Sequence, residues 1–332
     1  MDGEYMTEES EEFLEIAREL IRQLRPHDAL PFLTKALEDP LNLDASITLA
    51  DISPTPRALE VLEEAVAKGR NFAVEWFGPN VFADDGQYVG HLWGVHEMRP
   101  FMRALHALAL KYFEANQNPK CTEIWIELLR LSSNDNMGTR TCLGSALIRD
   151  GRYTDALSFA QNWLKPPRGS SESHPPHGGT VFATPTQDLL SNDDEVRLTK
   201  LAFVVGELAY TAALASFKVF GDCPLSTQYL RMASKINPHI ILRIIGRVRQ
   251  PNGLYEEEQR GMNGPEDAID YLWLTQDLWM ENSVWNWVNG NQDAKQATVK
   301  ISALVAFEFP TAVPIARTHI RGPMIELANK TQ

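Results

Sequence analysis

The feature that most constrains this chain is a triad of small, large apolar and small residues that returns at the spacing of a helix face. Ala29, Leu33 and Ala36 stand four and three residues apart, and Ala58, Leu62 and Ala65 repeat the spacing. Between Met137 and Trp163, the residues Gly144, Gly151, Tyr153 and Ala156 supply in turn a close contact, a turn, an aromatic and a small residue. Ala109, Tyr112, Cys121 and Trp125 precede them by one period of about 34 residues, and Gly221, Ser226, Leu230, Ala233 and Pro238 make a further unit. Small side chains at fixed helical spacing are what two helices need to cross closely, and a proline after the second helix ends the pair. A single helix pair cannot bury its apolar face alone, so such units stack on their neighbours. The pattern predicts an all-α chain of helical hairpins stacked as a solenoid, wound as a right-handed superhelix.

The order of small, aromatic and turn positions is that of the tetratricopeptide repeat. The expected organisation is N-terminal helical repeats over 1–165, an exposed loop over 166–192, C-terminal repeats over 193–290 and an extension over 291–332. The loop begins PPRGSSESHPPHGGT, where Pro, Gly and Ser remove helix propensity and leave little to bury. Beyond Pro238 the run from Ile240 to Val248 is apolar, and Pro265 to Val288 resumes helical periodicity as one more hairpin. Ala294 to Phe307 mixes Ala with Val, Ile and Phe and is read as helix over strand.

The stretch GHLWGVHEMRPFMRAL, from Gly90 to Leu105, resembles the tetratricopeptide-like family named for suppression of tumorigenicity, with Trp93, Arg99, Pro100, Met102 and Arg103 carrying the likeness. The segment LLRLSSNDNMG adds Leu131, Asn134, Asp135, Asn136 and Gly138, with Ser132 and Ser133 where the family has Asn-Pro. Asn237, Pro238 and His239, the EDAIDYL helix start from Glu266 to Leu272, and Trp279 and Trp287 extend the resemblance to roughly residues 55 to 290. It implies a helical-repeat scaffold without an established enzymatic activity. The zinc-binding module of some relatives is not expected, because its paired cysteines are missing.

Charge narrows the partners. A net charge of −13 with pI near 5.1 opposes the phosphate backbone, whose affinity comes from Lys and Arg. No nucleic-acid partner and no membrane partner is expected. No stretch reaches the length of apolar sequence a membrane span needs, and Cys121, Cys142 and Cys223 form no CxxC pair. The expected location is the cytoplasm, with the nucleus also open.

His91 and His96 fall on different helix faces, and His174 and His177 sit in the Pro-rich loop, so no metal is expected. No GxSxG elbow, phosphate-cradling loop or dinucleotide fingerprint occurs, and no cofactor or catalytic residue is assigned. Trp273, Trp279, Trp285 and Trp287 suit the capping of a helical core better than a ligand stack.

The expected function is therefore to hold a protein or peptide in a concave groove. The alternatives are an enzyme whose site is assembled from distant residues, or a structural subunit covered by copies of itself. The candidate partner-binding residues are Arg99, Arg103, His106, Asn136 and Arg140. Arg99 and Arg103 lie one helical turn apart and suit a carboxylate; the alternative is that they bond the Asp135 region or helix-end carbonyls. The Asn134-Asp135-Asn136 run stands where short polar side chains cap a helix, leaving a groove role open for Asn136 and Arg140.

Overall fold

The computed structural model describes residues 7–165, 174–200, 205–254 and 262–296. Every regular element among the described residues is helical, as the all-α reading requires. The chain divides into two compact units, one running to Ile124 and the other beginning at Trp125.

In the first unit α1 (Glu8–Arg22) starts at Thr7, whose hydroxyl accepts from the Ser10 amide at 3.3 Å, and carries Glu8, Glu9 and Glu11 in its first turn. Those acids suit the positive end of the helix dipole. α2 (Pro26–Ala36) opens on a proline, which needs no amide partner there, and buries Ala29, Leu33 and Ala36 against α1. α3 (Leu43–Asp51), capped by Asn42, pairs with α4 (Thr55–Phe77), which buries Ala58, Leu62 and Ala65. α5 (Arg99–Glu114) packs on both α3 and α4. The boundary between the units falls within α6 (Asn118–Leu131).

The second unit contains the hairpin of α7 (Thr139–Arg149) and α8 (Tyr153–Trp163), then the short α9 (Asn192–Leu198). The hairpin of α10 (Gly206–Phe220) and α11 (Pro224–Ile236) follows, then α12 (Pro238–Ile245) and the pair α13 (Pro265–Trp279) and α14 (Asn282–Gly290). α10 is the hub, packed on α7, α8, α11 and α13. Gly144 permits its approach to α7, since a Cβ there would stand 2.9 Å from Thr211. Asn237 is fully buried between α11 and α12; its side chain caps the His239 amide, and its carbonyl accepts from the Tyr210 hydroxyl at 3.0 Å. The helix expected over Ala294–Phe307 lies outside the described residues beyond position 296.

The hairpin connectors repeat one backbone device. At Leu24, Asn116 and Gly151, each five residues ahead of the small residue Ala29, Cys121 or Ala156, the chain turns left-handed with φ of 62°, 57° and 73°. The next amide then returns to the preceding helix: Arg25 to Leu20 O at 2.9 Å, Gln117 to Tyr112 O at 2.8 Å, and Arg152 to Leu147 O at 2.9 Å. This satisfies carbonyls that a helix end otherwise leaves orphaned. Gly221 stands at the same place before Ser226, also with positive φ. The connector between α3 and α4 uses Pro54 instead.

Of the loop expected over 166–192, residues 166–173 lie outside the described residues. The rest differs from a free loop, because its backbone is tied down even where its side chains are exposed. The Ser158 hydroxyl accepts from the Ala183 amide at 2.9 Å. Gln161 donates to Thr186 O at 2.8 Å and accepts from Thr186 N at 3.0 Å, and Gln228 makes the same two-point clamp on Leu190 at 2.8 and 2.9 Å. Ser158, Gln161 and Gln228 are themselves buried, so the loop backbone satisfies polar groups that α8 and α11 would otherwise strand. Replacing Gln161 and Gln228 together by Ala is expected to make residues 183–190 the first site of mild proteolysis and to lower stability by about 2 kcal/mol. Mass analysis of the first fragments checks this, and an unchanged cleavage pattern would show that the clamps do not hold the segment.

Candidate functional site

The first unit carries a groove of two adjoining cavities, of about 360 and 870 Å³, which share Pro40, Leu41, Lys68 and Phe72. One face of α4 forms a wall, because Lys68, Gly69, Phe72, Glu75 and Trp76 recur at three- and four-residue steps. The start of α1 and the turn after α2 form the other side. Asp39 holds that side in shape, accepting from the Thr7 amide at 2.8 Å, the Thr7 hydroxyl at 3.1 Å and the Leu41 amide at 2.9 Å. Phe101, at the start of α5, closes the smaller cavity and packs against Gly69, where a Cβ would stand 2.6 Å from the ring.

The groove is apolar below and acidic around its edge. Phe13, Leu41, Leu43, Phe72 and Phe101 line it, and the Trp76 ring is tilted against Phe72 with centroids 5.4 Å apart while remaining 46% exposed. Glu9, Glu11, Glu38, Asp39, Glu75 and Glu97 face it, against Lys35 and Lys68. Lys68 is drawn to Glu64 at 2.8 Å, and the Lys35 ammonium sits 4.6 Å from the centre of the Phe13 ring.

The candidate residues of the sequence fall in both units. In the first, Arg99 donates to Trp93 O at 3.0 Å, its guanidinium 5.3 Å from the Trp93 ring centre. Arg103 forks onto Asp44 of α3 at 2.8 and 2.5 Å, so its carboxylate lies in this unit and not in the Asp135 region. His106 is pushed down to about 4 by burial, and its Nδ1 has no hydrogen-bond partner among the described residues.

In the second unit the exposed Asn136 accepts from the Ser132 hydroxyl at 3.0 Å. Asp135 accepts from the Arg140 amide at 3.3 Å and pairs with its side chain at 3.4 Å, while the guanidinium lies 4.9 Å from the Trp163 ring centre. Burial raises Asp135 to about 6 against the pull of Arg140. Asp135 of the polar run thus satisfies a first-turn amide of α7, whose N-cap position is Gly138. None of the five lines the groove; the residues that do, Phe72 and Trp76 among them, carry no motif that sets them apart in sequence from ordinary helix positions.

Among the described residues no helix is long and apolar enough to cross a membrane. Comparison with known protein families, with curated proteins and with solved structures found no match for the chain.

Proposed function

We propose that this chain is a tetratricopeptide-type solenoid, similar to the suppression-of-tumorigenicity family, that acts in the cytoplasm as a scaffold for another protein. The groove of the first unit is the surface that engages it. The observation that carries the reading is Trp76, tilted against Phe72 at the mouth of an apolar cleft yet 46% exposed. Tryptophan is the residue type most enriched where binding energy concentrates, because a rigid ring gains much buried area at little entropic cost. The recurring connectors at Leu24, Asn116, Gly151 and Gly221 support the repeat reading, since equivalent positions share a positive φ.

The test is affinity purification of the full chain from cells beside Trp76→Ala. Proteins retained by the parent are expected to be lost from the variant, with a melting temperature within about 2 °C of the parent, as for an exposed substitution. An unchanged set of retained proteins would remove the groove from the binding surface.

A further inference from the structure

We infer that the occupant of this groove is a basic amphipathic helix, an assignment that rests on reading the groove as the partner surface. An apolar trough edged by carboxylates on several elements is complementary to a helix with one apolar face flanked by cationic side chains. The trough is built from Leu41, Phe72 and Phe101, with Trp76 at its edge. The edge carries Glu9 and Glu11 on α1, Glu38 after α2, and Glu75 on α4. Among the described residues no hydrogen bond or ion pair engages these four side chains.

The two lysines do not offset them equally. Lys68 is neutralised by Glu64, and Lys35 rests on the face of Phe13, which is how a cation from a partner would rest on Trp76. Arginine suits the place best, since its planar guanidinium forks onto a carboxylate and stacks on a ring. An acidic helix, a nucleic acid or an anionic membrane would bring like charge to the same edge and be repelled.

The probe is a synthetic 18-residue helical peptide with leucines along one face and arginines on both flanks, titrated against the full chain by anisotropy. Its counterpart carries glutamate at each arginine. The arginine peptide is expected to bind, and the glutamate peptide to bind at least about tenfold more weakly. Changing Glu38→Gln and Glu75→Gln together is expected to weaken the arginine peptide by about tenfold with melting unchanged, and Phe72→Ser to weaken it by a similar factor. Asp193→Asn with Asp222→Asn, exposed acids of the second unit, should leave binding as it was.

Equal binding of the two peptides overturns the assignment. So does an equal loss from the second-unit pair, which would mean diffuse attraction to an acidic protein. If the arginine peptide fails to bind while Trp76→Ala still strips retained proteins, the basic helix is wrong and the groove reading stands. If the arginine peptide binds as expected but the retained proteins ignore Trp76→Ala, the groove chemistry holds and the groove is not the surface that engages those proteins.

Discussion

Stability is expected to fall as pH rises from about 6.5 to 8, and Glu207→Gln is expected to abolish that fall. Glu207 lies in the first turn of α10, only 4% exposed, with one carboxylate oxygen lacking a hydrogen-bond partner among the described residues. Burial raises it to about 8, reinforced by Asp267 and Asp270 and opposed by Arg140. In the unfolded chain the same carboxyl loses its proton near 4.5.

Between those values the folded state holds a proton that the unfolded state has released, so each rise in pH favours unfolding. The penalty is absent below about 4.5 and complete above about 8. Over that window it is at most about 5 kcal/mol, an upper figure because water entry and relaxation relieve a buried charge. Asp135, raised to about 6, adds a loss of the same sign only below that pH, and His106, lowered to about 4, contributes the opposite sign only below its ordinary 6.5. The interval from 6.5 to 8 therefore isolates Glu207 from both. Urea unfolding of parent and variant at pH 6.5, 7.2 and 8 checks the expectation. Parallel curves for the two proteins would show that Glu207 is not buried as a neutral acid.

Trp279→Ala is expected to cost about 3–5 kcal/mol, against less than about 0.5 kcal/mol for Trp76→Ala. Trp279 is fully buried at the end of α13, with its ring 5.8 Å from Tyr210 in an edge-on pair and its indole donating to the Tyr271 hydroxyl at 3.2 Å. Tyr210 in turn accepts from the Ile241 amide at 3.1 Å and donates to Asn237 O. Truncation therefore opens a cavity at the point where α10, α12 and α13 meet, and it removes one of the hydrogen-bond partners of the Tyr271 hydroxyl, which Thr275 and Thr211 also engage. Trp279→Phe keeps most of the volume and should lose less than half as much. Denaturant titration of all three variants measures this, and equal costs at Trp279 and Trp76 would contradict the burial assigned to both.

The helices themselves were legible because their signals are local. The triads of Ala29, Leu33 and Ala36 and of Ala58, Leu62 and Ala65, and the apolar run from Ile240, all mark elements that the structure contains. Gly151 announces a turn, since glycine enters the left-handed region at no steric cost. Leu24 adopts the same conformation without announcing it, because the hydrogen bonds of the connector impose it on a side chain that disfavours it, whereas Asn116 is of a type that tolerates it.

The candidate site was not legible. The charge of Arg103 is legible, but its partner Asp44 lies distant in sequence and only the packing of α3 on α5 brings the two together. Glu207 carries no sign of burial, since an acid in the first turn of a helix ordinarily faces water. Trp279 reads from the sequence as part of a helical core and is buried, whereas nothing local marks Trp76, near the end of α4, as the ring that stays open. What the chain alone determined is where helices begin, which stripe of each is apolar and that the whole carries excess negative charge. Which stripes find a covering helix and which stay open as the acidic groove was decided by tertiary packing. Burial belongs to two surfaces that meet, and neither surface encodes the meeting by itself.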